Sequence, residues 1–269
     1  MTSFELKARA YAKALDWGVP RLRRIAIRNL ELAGFADRSN EITDGVFLSV
    51  GRIMASVAKF PTVTRANVHE WIRYDGLENF TVAQAKGRGV LVATAHLGNW
   101  ELSAFSHALM TAPMHIVVRP LDNARVNAFV EKRRALSGNH IIQKHEAARK
   151  ILKALSEGDA VGILIDQNTT PAEGVFIDFF GRKACAGTAF VKFAHHTGAA
   201  VVPGYALWSE EEKKYILRFD PEIPMIGDVQ SDTQLVHAAL ESVIRAHPDQ
   251  WLWIHRRWKT RPPGEAPLY

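Results

Sequence analysis

Short apolar runs, each followed by a segment with helical periodicity, constrain the fold of this chain more than any other feature. The first three runs are GVLVATA (89–95), HIVVR (115–119) and AVGILID (160–166). Continuous apolar runs of this length are typical of strands buried on both faces of a parallel sheet. Strands that alternate with helices predict an α/β fold with a mostly parallel central sheet covered by helices. Later runs predict three more strands, at 175–180, 199–208 and, as an antiparallel edge, 214–220.

The first thirty residues predict a helical arm. Cations outnumber acidic residues there, and apolar residues recur at helical spacing, a pattern typical of helices that lie in a membrane interface. We therefore expect a membrane-association arm over 1–62 and the α/β domain over 63–269, as one continuous structural unit. The alternative is that these helices pack on the domain with their charges solvated. The apolar residues expected to enter the lipid are Phe4, Tyr11, Leu15 and Leu22.

Charge and cysteine content narrow the classes of partner and compartment. The 34 Lys and Arg residues exceed the 28 acidic residues, and the net charge of +6 fits an anionic membrane face, nucleic acid or an acidic substrate. Cys185 is the single cysteine, so an internal disulfide is impossible. No apolar run has the length of a membrane-spanning helix or the form of a signal peptide, so we expect a protein that is soluble or lies on a membrane.

Polar and charged residues follow the predicted strands, where open α/β sheets place their binding sites. The residues in these positions are His96, Glu101, Arg119, Asp166, Gln167, Gly181 and Arg182. His96 and Glu101 form an H-x4-E spacing, and Gly98 between them allows a tight turn. A carboxylate folded back onto the imidazole would fix its tautomer and make it a general base. The alternative is a buried histidine satisfied by a nearby glutamate.

Competing chemistries lack their motifs. The sequence has no G-x-S-x-G elbow, no phosphate-binding P-loop, no dinucleotide fingerprint and no zinc-ligand spacing. Cys185 is interpreted as structural rather than nucleophilic.

The stretch 247–263 interleaves tryptophans with cations, a pattern that suits the binding of phosphates, bases or lipid head groups. The alternative is a solvated basic tail that is anchored by tryptophans in the core.

Taken together, the motifs resemble the lipid A biosynthesis acyltransferase family, within the wider lysophospholipid acyltransferase group. The segments that carry the resemblance, in chain order, are AHLGNWE (95–101), VVRPLDN (117–123), GILIDQN (162–168), FFGRKACAGTAF (179–190), GAAVVPG (198–204) and QWLWIHRRWK (250–259). The resemblance implies that His96 is the catalytic base and Glu101 its carboxylate partner. The residues it implies for the oxyanion or the substrates are Gly98, Asn99, Arg119, Asp166, Gln167, Gly181 and Arg182.

The activity that the resemblance implies is transfer of a fatty acyl chain from an acyl-carrier-protein or CoA thioester to a hydroxyl of a glycolipid acceptor, such as a lipid A precursor. It implies peripheral or monotopic attachment to an anionic membrane, at the cytoplasmic face of the bacterial inner membrane. No cofactor, metal or nucleic acid is expected. The alternatives are a lysophospholipid or other glycolipid acyltransferase, a thioesterase that uses the same pair, and a non-enzymatic basic domain that binds membrane or RNA.

Overall fold

The computed structural model describes residues 3–143 and 147–269. The helices are α1 (Ser3–Gly18), α2 (Pro20–Leu32), α3 (Ser39–Lys59), α4 (Leu77–Ala85), α5 (Trp100–Met110), α6 (Ala124–Arg134), α7 (Ala147–Ser156), α8 (Ala189–Thr197) and α9 (Val229–Ala246). The strands are β1 (Ile72–Asp75), β2 (Val90–Thr94), β3 (His115–Val118), β4 (His140–Gln143), β5 (Ala160–Leu164), β6 (Gly174–Phe179), β7 (Arg182–Gly187), β8 (Ala200–Ser209) and β9 (Lys214–Phe219).

The predicted sheet is present, with strand order β1-β9-β8-β2-β5-β3-β4. Strands β8, β2, β5, β3 and β4 run parallel, and β9 is antiparallel to β8, as the run at 214–220 predicts. The prediction that this strand is at the edge is wrong, because β1 pairs with its other side. β2 lies inside the sheet and is buried on both faces. Val90 and Val92 pack with residues of α3, α4 and α5, whereas Leu91 and Ala93 pack with residues of α7 and α8. This two-sided burial explains why the strand is a continuous apolar run.

One strand prediction is wrong about its sheet. The run at 175–180 forms β6, which pairs with β7 as a separate antiparallel hairpin rather than joining the main sheet. Phe180 and Gly181 connect the two strands, and both have positive φ values (54° and 71°), as in a tight hairpin turn. The residues after β6 are therefore not at the carboxyl end of the main sheet.

The N-terminal helices pack against the rest of the chain. The contact between α1 and α3 is close, because Ala8 faces Gly51 and a Cβ at Gly51 would lie 2.1 Å from the Ala8 carbonyl oxygen. Phe4 contacts Trp71 edge to face and stacks on Trp208, at centroid distances of 5.6 and 6.2 Å. The prediction that Phe4 enters lipid is therefore wrong. Among the residues described, no helix combines the length and apolarity needed to cross a membrane.

Candidate active site

The register of two neighbouring strands places His96 beside Asp166. In β2 and β5, which are parallel, Thr94 pairs with Leu164, and the Ile165 amide donates a hydrogen bond to the Thr94 carbonyl at 3.0 Å. His96 and Asp166 each lie two residues beyond this last pair. Both therefore leave the carboxyl edge of the sheet at the same level, where sheets of this type place their sites.

Asp166 holds His96 through two hydrogen bonds. His96 Nδ1 lies 2.8 Å from Asp166 Oδ1, and the His96 backbone amide donates to Oδ2 at 2.9 Å. The indole Nε1 of Trp251 also donates to Oδ2, at 2.8 Å. An ionised carboxylate only accepts hydrogen bonds, so Nδ1 carries the proton and Nε2 is the basic nitrogen. Asp166 is fully buried, whereas 17% of the His96 side chain is exposed.

The electrostatics of the pair favour a charged carboxylate and a basic imidazole. Burial alone lowers the pKa of His96, but the charge and hydrogen bond of Asp166, with the charge of Glu101, raise it above its ordinary value. Burial tends to raise the pKa of Asp166. The charge and hydrogen bond of His96, the charge of His255 and the Trp251 indole outweigh this effect, so that the pKa is lowered. Asp166 therefore stays ionised behind the imidazole.

The predicted hydrogen bond between Glu101 and His96 is wrong. Glu101 lies in the first turn of α5. The Arg134 guanidinium donates to both oxygens of its carboxylate, from Nε to Oε2 at 2.8 Å and from Nη2 to Oε1. Arg134 is the last residue of α6, directly before the helical turn at Ala135–Ser137 that packs against α5, and a bidentate guanidinium binds a carboxylate more tightly than one imidazole nitrogen does. The carboxylate on His96 is that of Asp166, from the neighbouring strand.

Arg134 is a site residue that the sequence does not single out. The helix that carries it contains several arginines, and no local pattern tells them apart. In the structure, 13% of its side chain is exposed, and its Nη1 is buried without a hydrogen-bond partner. A buried guanidinium nitrogen with no acceptor can bind an oxygen of a substrate.

Gly98 and Asn99 serve the backbone rather than a ligand. The Gly98 amide donates to the Gln250 carbonyl at 2.9 Å, and the Asn99 amide donates to the Ala206 carbonyl at 2.8 Å. The buried Asn99 side chain caps α5 by accepting from the Leu102 amide at 3.0 Å. The prediction that these residues bind an oxyanion or a substrate is therefore wrong, because their donors already have partners.

Replacing Gly98 with alanine is expected to lower the free energy of unfolding by about 3 kcal/mol or more. Gly98 has a φ of 61°, and a Cβ there would lie 1.9 Å from the Ala206 carbonyl oxygen. Urea unfolding of the two proteins measures the loss. Gly181→Ala is the matched control, because Gly181 has a φ of 71° with nothing within 4 Å of its Cβ position. It should lose only about 1–2 kcal/mol; equal losses in the two variants would contradict the expected clash.

The other predicted site residues make no hydrogen bond or ion pair with His96 or Asp166 among the contacts that the described residues show. Arg119 has 75% of its side chain exposed, and its Nη2 lies 3.5 Å from Asp122 Oδ1. Gln167 is exposed directly after Asp166. Gly181 is in the hairpin turn, and Arg182 Nε donates to the Leu32 carbonyl at 2.8 Å, which ties the hairpin to α2. The prediction that Gly181 and Arg182 follow a strand of the main sheet is wrong, because β6 pairs only with β7. Their role in binding the acceptor, which the resemblance implies, stays a prediction.

The C-terminal aromatic and basic stretch is core rather than a ligand surface. Trp251, Trp253 and Trp258 are fully buried, and so is Arg257, whose Nη1 donates to the Cys185 carbonyl at 2.8 Å. The interpretation of tryptophans as core anchors is correct, although the cations are not all solvated. Trp251 has a second function, because its indole holds Asp166.

An apolar pocket lies between α5 and the face of β2, β5 and β3. It is lined by Val92, Thr94, Trp100, Glu101, Ser103, Ala104, Phe105, His107, Met114, Ile116, Val117, Val118, Arg134, Ser137, Asn139, Gly162, Leu164 and Phe219. The cavity that these residues enclose has a volume of about 70 Å³ and opens to the outside. The Trp100 ring contacts the His96 ring at a centroid distance of 5.0 Å, so the pocket adjoins the His96–Asp166 pair.

Strand pairing explains where the pocket opens. β3 and β5 pair over only two residues, His115 with Val161 and Ile116 with Gly162. Beyond Gly162 the two strands separate toward their carboxyl ends, and the Glu101–Arg134 pair lines the pocket there. Among the residues described, no cluster of three or more His, Cys, Asp or Glu side chains is arranged to hold a metal ion.

Comparison with known proteins gives a consistent result. Residues 8–260 match the family model described as bacterial lipid A biosynthesis acyltransferase. The chain is 30% identical to the lipid A biosynthesis palmitoleoyltransferase of Escherichia coli K12, over 93% of this chain and 82% of the relative. It is 28% identical to the lauroyltransferase of lipid A biosynthesis from the same organism, over 93% and 83%. It is also 26% identical to the phosphatidylinositol mannoside acyltransferase of Mycobacterium tuberculosis H37Rv, over 78% and 68%.

Proposed function

Because this chain belongs to the bacterial lipid A biosynthesis acyltransferase family, we propose that it transfers an acyl chain from a thioester to a hydroxyl of a glycolipid. The donor is acyl carrier protein or CoA, and the acceptor is a glycolipid such as a lipid A precursor. One observation carries the proposal. Trp100, which lines the apolar pocket, also contacts the imidazole of the His96–Asp166 pair. The names of the relatives, which cover two kinds of glycolipid, support this acceptor class.

His96 is the general base in this proposal. Its Nε2 takes the proton of the acceptor hydroxyl as the oxygen attacks the thioester carbonyl carbon. Asp166 holds the Nδ1 proton and stabilises the imidazolium that forms. When the tetrahedral intermediate collapses, the carbon–sulfur bond breaks, and the leaving thiolate takes the proton from Nε2. The products are an ester and a free thiol, and His96 returns to its starting state.

Arg134 stabilises the charge that develops on the carbonyl oxygen. Glu101 holds Arg134 through two of its nitrogens, which leaves Nη1 buried beside the pocket. A fixed donor in a site that excludes water is worth about 3–4 kcal/mol in the transition state. Glu101 is thus a positioning residue for Arg134. The sequence offers Arg119 and the Gly98 amide as donors to this oxygen. The Arg119 side chain is exposed, and the Gly98 amide already donates to a backbone carbonyl.

The transfer is direct, without an acyl-enzyme intermediate. Cys185 is fully buried, and this burial raises the pKa of its thiol, so the thiolate that a covalent step needs is disfavoured. Incubation of the purified protein with an acyl thioester and a lipid A precursor, followed by mass spectrometry of the lipid, tests the proposal. An acceptor heavier by one acyl group supports it. Donor turnover without acylated lipid, for any glycolipid tried, would contradict it.

We place the enzyme at the cytoplasmic face of the inner membrane as a peripheral protein, attached through the arm predicted over 1–62. Trp17 is 79% exposed, Leu6 58% and Val19 42%, so the arm presents large apolar side chains to the outside. The exposed cations near them are Lys7, Arg9, Lys13, Arg21 and Arg24. Tryptophan and cations on one exposed surface suit the head-group region of an anionic bilayer.

Replacing Trp17 with serine is expected to weaken binding to anionic vesicles by about tenfold or more, because a large apolar contact with the bilayer is lost. Vesicle sedimentation measures the change. High salt should also release the wild-type protein, since salt screens the attraction of the cations. Val82→Ser is the matched control, because Val82 is an apolar residue 63% exposed on α4, outside the arm. Equal binding by the Trp17 variant and the wild type would refute attachment through this face.

A further inference from the structure

The C-terminal segment 250–255 runs along the turn that contains His96. The Leu252 amide donates a hydrogen bond to the His96 carbonyl at 2.9 Å, and Leu97 forms an antiparallel bridge with Trp251. These contacts fix the first half of the segment against the backbone of the site.

The Trp251 side chain connects this segment to the reactive pair. Its indole Nε1 donates to Asp166 Oδ2 at 2.8 Å, the same oxygen that accepts from the His96 amide. Trp251 and Asp166 are both fully buried, so water does not replace the indole if the ring moves away. The position of the segment therefore decides whether Asp166 keeps all of its hydrogen-bond donors.

The second half of the segment is irregular backbone. Residues 252–255 belong to no helix or strand. The hydrogen bonds there close tight turns, from the Trp253 amide to the Trp251 carbonyl and from the Arg257 amide to the His255 carbonyl, at 2.9 Å each. Backbone of this kind needs side chains or water as partners for its remaining polar groups. Its conformation therefore depends on side chains from elsewhere in the chain.

Asn29 of α2 is such a partner. Its side chain is fully buried, and its Nδ2 donates to the carbonyls of Trp253 and His255, at 2.6 Å each. Its Oδ1 accepts from the Tyr269 hydroxyl. A side-chain amide has two N–H donors and one oxygen, so both donors of Asn29 are used and its oxygen is occupied. The amide thus joins α2 to the segment that carries Trp251.

The cost of burying an amide at this place indicates a specific role for it. Asn29 lies on the buried face of α2 with Ala26 and Leu30, which belong to the same core cluster as Trp251 and Trp253. A polar side chain is costly to bury there unless its hydrogen bonds are made. An alanine would avoid this cost, but it would leave the two carbonyls without these donors. The asparagine therefore stabilises one position of the segment rather than the helix itself.

We propose that Asn29 is a positioning residue for acyl transfer, because it fixes the segment whose Trp251 indole holds Asp166 against His96. The inference rests on the proposed function, since the effect is exerted on the base of that reaction. It gives the N-terminal arm a second role. In addition to attaching the protein to a membrane, α2 fixes the reactive pair through the C-terminal segment.

A double-mutant cycle in kcat tests this chain of contacts. Trp251→Phe removes the indole N–H and keeps an aromatic ring, and it should lower kcat about tenfold or more. Asn29→Ala should also lower kcat, with the KM for the thioester within about twofold of wild type. The double variant should have a kcat within about twofold of that of Trp251→Phe, because both changes act through the same hydrogen bond.

The indole resonance of Trp251 gives a second readout that does not depend on activity. With the tryptophans labelled with ¹⁵N, this resonance is the one that Trp251→Phe lacks. In Asn29→Ala it should move upfield, because the N–H bond to Asp166 weakens when the segment is released. Should Asn29→Ala fail to fold, Tyr269→Phe decides by the same two readouts, since it removes the hydroxyl that orients Asn29 from a residue that is 36% exposed.

Asn67→Ala is the matched control. Asn67 lies between α3 and β1, and its side chain also bonds backbone at both ends. Its Nδ2 donates to the Thr62 carbonyl at 2.9 Å, and its Oδ1 accepts from the Thr64 amide at 2.8 Å. The loss of these bonds should leave kcat within about twofold of wild type and the Trp251 resonance in place.

The outcomes separate this proposal from the proposed function. If folded Asn29→Ala leaves kcat and the Trp251 resonance unchanged, or if its effect multiplies with that of Trp251→Phe, the positioning role is overturned while the proposed function stands. An equal loss of kcat in Asn67→Ala would also overturn it. If the wild type transfers no acyl group, the proposed function fails, and the Trp251 resonance alone then decides whether Asn29 holds the indole on Asp166.

Discussion

Replacing His96 with alanine is expected to lower the rate of acyl transfer by about 10²–10⁴-fold while the protein stays folded. The variant lacks the nitrogen that takes the proton of the acceptor hydroxyl. The fold should survive, because Asp166 still accepts from the residue 96 amide and from the Trp251 indole. Initial rates at saturating thioester, with thermal unfolding measured in parallel, test the expectation.

His195→Ala is the control for this change. His195 forms another histidine–aspartate pair, with Nε2 2.6 Å from Asp232 Oδ2, and it is on α8 rather than at the pocket. Its loss should leave the rate of transfer within a few-fold of wild type. A His96 variant that is folded and keeps more than half of the wild-type rate would rule out the proposed base.

Replacing Asp166 with asparagine is expected to lower the rate by about 10³–10⁴-fold, as the equivalent change does in serine-protease triads. Each oxygen of Asp166 accepts at least one hydrogen bond, from His96 Nδ1 on one side and from Trp251 and the His96 amide on the other. The side-chain amide of asparagine has only one oxygen, so its NH₂ group must face one of these hydrogen-bond donors. Either the imidazole loses its correct tautomer or a buried donor loses its partner.

The same variant should shift the pH dependence of the residual activity. The charge of Asp166 raises the pKa of His96, and activity requires unprotonated His96 Nε2, so wild-type activity falls as the pH drops through that raised pKa. Without the charge, burial still lowers the pKa of His96. The acid limb of kcat/KM should therefore move to lower pH. A limb that stays in place or moves to higher pH would contradict the assignment of Asp166 as the charge behind His96.

The strand that precedes His96 could be predicted from the sequence, because its signal is local. A continuous apolar run ending before a glycine-containing turn is sufficient to predict a buried strand and a site residue at its carboxyl end. The same reasoning failed for Arg182, since β6 has an apolar run but pairs only with β7. Which sheet a strand joins depends on partners distant in the chain, and a run of residues does not contain that information.

The carboxylate partner of His96 could not be predicted from spacing. Glu101 is five residues away in the chain, and the turn at Gly98 made it the nearer candidate. Asp166 is seventy residues away, and it reaches His96 only because β5 lies next to β2 in the sheet. Strand order therefore decides the pairing, and Glu101 is left to hold Arg134. The sequence indicates Asp166 as a site residue, but its contact with His96 depends on the register of the two strands.

Direct transfer from thioester to lipid hydroxyl at His96 is the central claim, and a rapid-quench single turnover tests it most directly. The enzyme is held in excess over a radiolabelled acyl thioester, with a lipid A precursor present, and the label is followed in thioester, protein, free fatty acid and lipid. The account predicts that acylated lipid appears at the rate at which thioester is lost, with no label on the protein. Label that passes through the protein, or that ends as free fatty acid at the same rate whether or not the lipid is present, would contradict it.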